Sequence, residues 1–548
     1  MENRSEKRSN FIVQGGILAI AGIISRIIGF IYRVPLQNTI GDAGMGYYSA
    51  AFQIYSIMLI ISSYSLPVAV SKLVSAKVAK GQYRNARKVF HGSLLFASLT
   101  GGATCLIVLF GADTLAGNIM SMPKSAIALR MLAPTLLIVA VMGVIRGYFQ
   151  GLGTMTPTAL SQLVEQIINA VISVVAGVYL YEYGKKVANV LKDSAFEPAW
   201  GAAGGTLGTG AGALAGLILL ILMYMMHKTK INRYIRRDNS NHVDSFGKIF
   251  GIIIVTMLPV ILSTTIYNIS DTLDQGIFNY VMDAKGYSAL KAEYWGIYST
   301  KYRVLTNVPI ALANAMCSSI MPTLTACIER GEYKNARHKV SIGIRFVMMI
   351  SIPCAVGLAC LGKPIIGMMF TGEVDMPAML LKIGSSSVVF YSLSTLSNGI
   401  LQGIDKMRIP VRNAAIALVL HLGILYVTIS VLDWKLYGVV IACVAFAVIM
   451  CILNWLSIAK YLHYHQEIKR TFIIPVISSA VMGVVVWFLY YILSKTLSDV
   501  ISVVISVCVG VVVYFVVLML LHGIRESEIK SLPGGRIIAG IAKVLHLL

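Results

Sequence analysis

Apolar segments of about twenty residues recur along almost the whole chain, and this repetition limits the fold more than any other feature. Hydrophobic residues make up 57% of the 548 residues and charged residues only 13%, whereas soluble proteins carry about 25% charged residues. Because a segment in a bilayer must satisfy its own backbone hydrogen bonds, continuous apolar runs predict an all-α polytopic membrane protein. We predict fourteen spans, at residues 11–36, 45–70, 89–111, 125–148, 158–182, 204–226, 249–280, 295–322, 340–361, 380–402, 410–431, 436–459, 471–493 and 499–522.

The net charge of +22 is concentrated in alternate connections between these spans. If the N-terminus lies in the cytoplasm, most Lys and Arg residues of the connections lie there too, as the positive-inside rule requires. The pattern predicts a multi-pass protein of the bacterial cell membrane with both termini in the cytoplasm. It argues against a nucleic-acid partner, because no basic surface interleaved with aromatic residues accompanies the charge. No small-residue cleavage site follows the charged first ten residues, so we expect no removed signal peptide.

The sequence lacks the patterns that are typical of catalytic and metal sites. All eight cysteines fall in apolar segments and none forms a C-x-x-C pair, so we expect small buried hydrophobes rather than disulfides or metal ligands. Walker, H-E-x-x-H and nucleophile motifs are absent. A membrane-embedded glycosyltransferase would need a catalytic carboxylate beside a large extracellular loop, and the predicted extracellular connections are short. We therefore expect no enzyme, and no cofactor beyond a coupling Na⁺ or H⁺.

Two short sequence elements occur twice. They are GQYRNARK at 81–88 with GEYKNARH at 331–338, and RGYFQGLGTM at 146–155 with NGILQGIDKM at 398–407. Six predicted spans separate the copies, so both copies have the same orientation, which predicts two six-helix lobes related by a pseudo-twofold axis along the membrane normal. The predicted division is an N-lobe at 1–248, a C-lobe at 249–465, and helices 13 and 14 with a cytoplasmic tail at 466–548.

Arginines inside the predicted spans are the first candidates for function. A charge at the bilayer centre costs about 2.5–3.5 kcal/mol, so it usually lies beside a partner or water. On the first span, Gly22, Arg26, Gly29 and Arg33 have the spacing of a single helix face. The alternatives are a structural ion pair for Arg26 and a side chain that reaches the outer headgroups for Arg33.

The eighth span carries a comparable face, formed by Arg303, Asn307 and Asn314. Arg303 and Arg26 lie at similar predicted depths in the two lobes. Two guanidinium groups that converge on one water-filled cavity would bind a phosphate or pyrophosphate in bidentate fashion. Three other arginines lie near helix ends, where we expect them to reach the headgroups: Arg130, Arg146 and Arg345.

Acidic residues are sparse inside the spans. Glu165 lies on the fifth span beside Ser161, and Asp271 lies on a polar stripe of the seventh span with Asn268 and Gln275. Either carboxylate can bind Na⁺ or carry a proton, and either can instead be a structural counter-ion for Arg26 or Arg303. We favour a structural role for Glu165 and leave both roles open for Asp271.

The segments SRIIGFIYR at 25–33 and TIGDAG at 39–44 resemble the start of the MurJ family of lipid II flippases. The repeat architecture is similar to that of the multidrug/oligosaccharidyl-lipid/polysaccharide (MOP) exporter superfamily, and the GEYKNAR element and the chain length resemble its SpoVB/YtgP branch. The resemblance covers essentially the whole chain. It implies fourteen helices, two lobes around a central cationic cavity, alternating access, and a groove for the lipid tail formed by the last two helices.

The resemblance also implies roles for individual residues. Arg26 takes the place of a cavity arginine on the first helix, Arg33 that of a second one with a shift of one residue, and Arg303 that of an arginine on the eighth helix. Asp271 resembles an acidic residue near a sodium site. The chain departs from the family pattern at residues 51–66, which contain no basic residue where MurJ carries an arginine.

These observations favour a flippase that moves an undecaprenyl-pyrophosphate-linked peptidoglycan precursor, lipid II, between membrane leaflets by alternating access. We expect it to act as a monomer among membrane lipids. The first alternative is a flippase for another lipid-linked saccharide, which composition does not separate from lipid II. The second is a cation-coupled multidrug exporter, which the excess of basic over acidic residues inside the spans argues against.

Overall fold

A computed structural model describes residues 2–236, 238 and 245–523. In these ranges the chain is predominantly helical and contains no β-strand, which confirms the predicted all-α polytopic class. Ten helical segments in the described ranges are long and apolar enough to cross a membrane, or up to eleven if a bent pair of helices counts as one span. The number of fourteen spans remains a prediction.

The described chain contains seventeen α-helices. In chain order they are α1 (Glu2–Ile31), α2 (Arg33–Ser62), α3 (Leu66–Ala79), α4 (Tyr83–Thr114), α5 (Ala126–Gly151), α6 (Thr156–Leu191), α7 (Phe196–Arg236), α8 (Phe246–Ala284), α9 (Lys291–Gly296), α10 (Arg303–Glu329), α11 (Tyr333–Met369), α12 (Asp375–Gly384), α13 (Ser386–Gly403), α14 (Arg408–Tyr426), α15 (Lys435–Leu462), α16 (Ile474–Leu493) and α17 (Asp499–Leu520). The bent pair is α12 and α13. Short π-helical segments lie at Leu115–Ile119, Ile297–Tyr302, Val427–Val431 and Lys469–Ile473.

The chain divides into two compact units, Met1–Ser299 and Thr300–Leu548. In the first unit, α3, α4, α5, α7 and α8 share an apolar core that includes Phe90, Tyr148 and Ile253. Helix α8 corresponds to the seventh predicted span, and it packs in the same unit as the first six predicted spans. The lobe boundaries at 248 and 465 remain a prediction, because they were drawn from the sequence repeat and not from packing.

The glycine-rich start of α7 packs directly on α6. A Cβ atom at Gly204, Gly208 or Gly212 would overlap the α6 backbone, so only glycine permits this distance between the two helices. The segment therefore serves helix packing.

In the second unit, α10, α11, α13 and α15 share an apolar core that includes Leu324, Met348 and Ile400. Helices α16 and α17 pack on α11, where the Tyr514 hydroxyl donates a 2.8 Å hydrogen bond to the backbone oxygen of Met349. The two helices after the repeat are therefore joined to the third helix of the second repeat.

The first repeated element forms the same turn in both copies. Gly81 and Gly331 both have φ of +72°, a conformation that favours glycine. The amide of Gln82 donates to Lys77 O, and the amide of Glu332 donates to Cys327 O, each at 2.9 Å. The two elements, which lie 250 residues apart, are therefore similar in backbone conformation as well as in sequence.

Candidate functional site

Arg26 lies on the exposed face of α1. A Cβ atom at Gly22 would meet open space, and one at Gly29 would lie 3.8 Å from Gln166 Oε1 of α6. Within the described part of the chain, Arg26 makes no hydrogen bond or ion pair. A charged guanidinium without a protein partner in a membrane helix requires water or an anion.

Arg33 has a different environment from Arg26, although helical spacing placed the two on one face. The residue is half-buried, and its guanidinium faces the hydroxyls of Tyr32 and Tyr48. These two hydroxyl oxygens lie 3.4 Å apart. Tyr48 belongs to the part of α2 that follows a sharp break at Gly41, so tertiary packing and not the periodicity of α1 determines the surroundings of Arg33.

Glu165 has a counter-ion, but it is Arg146 and not Arg26 or Arg303. The Arg146 Nη2–Glu165 Oε2 distance is 2.8 Å, and Arg146 Nε donates a 2.9 Å bond to Ser161 Oγ. The side chains of Arg146 and Glu165 are only 15% and 19% exposed. The expectation that Arg146 extends to the headgroups is therefore wrong: this arginine joins α5 to α6.

Three further basic residues of the spans are also bound to protein groups. Arg130 pairs with Asp113, and Arg345 pairs with Glu467, so neither is simply solvated by headgroups. The fully buried Lys301 donates to two backbone oxygens, at 2.9 Å from Thr371 and 2.8 Å from Glu373.

Asp271 is half-buried on α8, in a helix face that turns toward α2. Thr272 Oγ1 donates a 3.3 Å bond to Gln53, and Gln275 Oε1 accepts a 3.4 Å bond from Ser49. Asp274, one turn from Asp271, is buried. In the described ranges, no three His, Cys, Asp or Glu residues are grouped so that they could hold a metal ion. Na⁺ at Asp271 would therefore need hydroxyl, amide or carbonyl oxygens as further ligands.

In the second unit, Arg303 is the first residue of α10 and is half-buried. Asn307 is exposed one turn later, and Asn314 is half-buried. The preceding π-helical segment is fixed, because the buried Tyr302 hydroxyl lies 3.1 Å from both Gly384 O and Ser387 Oγ. The predicted eighth span, at 295–322, lies within the uninterrupted helical stretch that α9, the π-helical segment and α10 form together.

A buried amide network was missed by the sequence reasoning. Asn454 on α15 donates a 2.7 Å bond to Asn398 Oδ1 of α13, and its Oδ1 accepts a 3.0 Å bond from Asn413 of α14. Asn398 opens the second copy of the repeated element whose first copy opens with Arg146. The polar residues that align at this position of the two copies could have indicated this network. Each copy joins neighbouring helices, the first by an ion pair and the second by amide hydrogen bonds.

Comparison with known proteins places the chain in a family. Residues 13–328, more than half of the chain, match the model of the family described as "Polysaccharide biosynthesis protein", and residues 303–427 match the MatE family. The Lipid II flippase MurJ of Bacillus subtilis (strain 168) is 27% identical over 494 residues, 87% of this chain and 88% of that protein. Stage V sporulation protein B of the same organism is 22% identical over 522 residues, 94% of this chain and 96% of that protein.

A solved structure of the Lipid II flippase MurJ, in an inward closed conformation, has the same fold. Its TM-score is 0.61 at 15% sequence identity, and the match covers 91% of this chain and 97% of that one. The predicted resemblance to the MOP superfamily is thus confirmed by family, by relatives and by fold. The chain belongs to the polysaccharide biosynthesis protein family, as a MurJ-like multi-pass membrane protein of the MOP exporter superfamily.

Proposed function

We propose that the protein is a flippase that moves lipid II, an undecaprenyl-pyrophosphate-linked peptidoglycan precursor, to the outer leaflet of the bacterial cytoplasmic membrane. The observation that carries the proposal is the contrast between Arg26 and three other arginines of the spans. Arg130, Arg146 and Arg345 are each paired with a carboxylate, whereas Arg26 is exposed without a partner in the described ranges. An unpaired guanidinium suits an anionic cargo.

The chemistry of the headgroup follows from the arginine side chain. A guanidinium presents its donors in a planar fork that fits two oxygens of a phosphate, which an ammonium cannot do. In this proposal Arg26 and Arg303 bind the pyrophosphate, while Asn307 and Asn314 bind sugar hydroxyls through their amides. Arg33 contributes positive potential from its place beside Tyr32 and Tyr48.

Directional transport needs a ligand that binds the two conformations of the carrier differently. We propose that Asp271 supplies this coupling by binding Na⁺ or a proton. Glu165 has no part in the coupling, because it neutralises Arg146. The protein acts as a monomer with both termini in the cytoplasm, and it catalyses no covalent reaction.

A flippase for a different lipid-linked saccharide is the second candidate. The absence of a basic residue at 51–66 favours it, because one of the family's cavity arginines is missing. The pyrophosphate contacts would be the same in both cases, and the sugar contacts would differ.

The test is a flipping assay in proteoliposomes with defined lipid-linked substrates. A charge-assisted hydrogen bond contributes about 1.5–3 kcal/mol, so Arg26→Ala should slow flipping of lipid II roughly 10- to 100-fold. Arg26→Lys should recover only part of the rate, because lysine cannot bind in bidentate fashion. Arg130→Ala is the matched control, since Arg130 is already paired with Asp113.

Two results would contradict the proposal. A wild-type rate for both Arg26 variants would remove the pyrophosphate contact. If the protein flipped another undecaprenyl-linked saccharide but not lipid II, the proposed cargo would be wrong. The rest of the proposal would still hold.

A further inference from the structure

Helix α2 meets the segment formed by α8 and α9 at a surface that combines close backbone contact with buried polar groups. We call this surface the glycine seam, and define it by Asp42, Gly46 and Ser49 of α2 with Gln275, Ala292 and Gly296 of α8 and α9. All six residues belong to the first compact unit.

Two glycines determine how closely the helices approach. A Cβ atom at Gly46 would overlap the backbone oxygen of Ala292, and one at Gly296 would overlap the backbone oxygen of Asp42. The atoms that would clash belong to backbone, so no side-chain rotation relieves the overlap. The seam closes only with glycine at both positions.

Hydrogen bonds cross the seam beside the glycines. The Trp295 indole donates a 3.2 Å bond to Ser49 Oγ, and Ser49 in turn donates a 3.4 Å bond to Gln275 Oε1. Farther along α8, Thr272 donates to Gln53. The α3–α5 contact of the same unit also depends on glycines, Gly147 and Gly151, but its other members include the apolar Val70 and Val74. The seam is thus more polar than the α3–α5 contact.

Closure leaves a polar atom of the seam without a partner. The Gln275 Nε2 donor makes no hydrogen bond within the described residues, although the side chain is fully buried. A buried polar atom without a partner destabilises the arrangement that buries it. If the seam opened, water could bind the Gln275 Nε2 donor, which would offset part of the cost of breaking the hydrogen bonds that cross the seam.

Glycines with positive φ lie next to both sides of the seam. Gly41, at φ +72°, immediately precedes Asp42, and Gly286, at φ +81°, lies in the turn between α8 and α9. Such positions absorb changes of backbone angle more easily than the helices that they join. Each side of the seam can therefore move as a helix about an adjacent turn.

We infer that the glycine seam is a closure that opens and shuts during transport, on the side of the membrane where α1 joins α2, and that Gly46 and Gly296 are required to shut it. The inference rests on the proposed function for its place in a transport cycle. The equilibrium between a shut seam and an open, hydrated seam exists with or without cargo.

The experiment measures access to the seam. Ser49→Cys is placed in a full-length protein whose eight native cysteines are replaced, and a membrane-impermeant thiol reagent is added to one face of proteoliposomes without substrate. We expect slow labelling with the native glycines, and labelling about tenfold faster or more with Gly46→Ala or Gly296→Ala, because either methyl group holds the seam apart. Gly102→Ala is the matched control, since a Cβ atom there meets nothing within 4 Å.

The outcomes separate this inference from the proposed function. Unchanged labelling in alanine variants that elute as folded protein would overturn the seam as a closure. Faster labelling together with no flipping of any lipid-linked saccharide would support the seam and overturn the proposed function.

A second measurement covers the case in which the alanine variants do not fold. Ser49→Cys with Gln275→Cys is bridged by a short, reducible thiol–thiol reagent. We expect bridging to stop flipping and reduction to restore it. Full transport after complete bridging would show that the seam does not open.

Discussion

The arginine side chains inside the predicted spans lie in different electrostatic environments. Arg146 is neutralised by Glu165, Arg33 faces tyrosine hydroxyls, and Arg26 is exposed. Sequence spacing identified all three residues as charges inside spans but could not assign their partners. Helical periodicity specifies which residues share a face of one helix, whereas Arg146 and Glu165 lie on two helices whose rotation depends on packing.

The Arg146–Glu165 pair should contribute measurably to stability. Replacing Glu165 with leucine leaves a largely buried guanidinium without its counter-ion, which we expect to cost about 3 kcal/mol of unfolding free energy. Glu182→Leu is the control, because Glu182 pairs with Lys185 on an exposed face and should change stability by less than about 1 kcal/mol. Thermal unfolding of the purified proteins in detergent measures both, and equal effects would contradict a structural role for Glu165.

At the scale of elements, the repeated turn before α4 and α11 is the clearest product of the internal repeat. Gly81 and Gly331 have the same φ, and a Cβ atom at either would meet nothing within 4 Å. Substitution at either position is therefore a test of backbone conformation alone.

Gly81→Ala and Gly331→Ala should destabilise the protein by similar amounts, about 1–2 kcal/mol each, because alanine is strained at positive φ. Gly102→Ala in the middle of α4 should be neutral or stabilising, since glycine is a poor helix former. Thermal unfolding of the three variants measures these changes in stability. Clearly different effects at the two turns would show that the repeats differ in their surroundings there.

The sequence predicted helices far better than it predicted their contacts. The last two spans, expected at 471–493 and 499–522, correspond to α16 and α17 within a few residues. The break at Gly41 and the π-helical segment before Arg303 were not foreseen, because hydropathy measures whether a segment suits lipid and not where its backbone bends. The glycine seam was likewise hidden, since it joins residues some 250 positions apart in the chain.

At the scale of the whole molecule, transport of an anion across a membrane is governed by the electrical potential as well as by any coupling ion. Each elementary charge gains about 2.3 kcal/mol for every 100 mV that it crosses. An inside-negative potential therefore favours outward movement of a pyrophosphate-linked cargo. A positively charged carrier residue that moves with the cargo reduces this gain, and a bound Na⁺ or proton alters it again.

We predict that Asp271 carries the response of transport to an ion gradient. Wild-type flipping in proteoliposomes should accelerate under an inside-negative potential and should respond further to a gradient of Na⁺ or of protons. Asp271→Asn removes the carboxylate that would hold either ion, so the response to the ion gradient should disappear while the response to potential persists. Glu165→Gln is the matched control on a carboxylate already paired with Arg146, and its ion dependence should equal that of the wild type. If Asp271→Asn retained the full response to both gradients, coupling would have to reside elsewhere, because a residue that binds no ion cannot link ion movement to the conformation of the carrier.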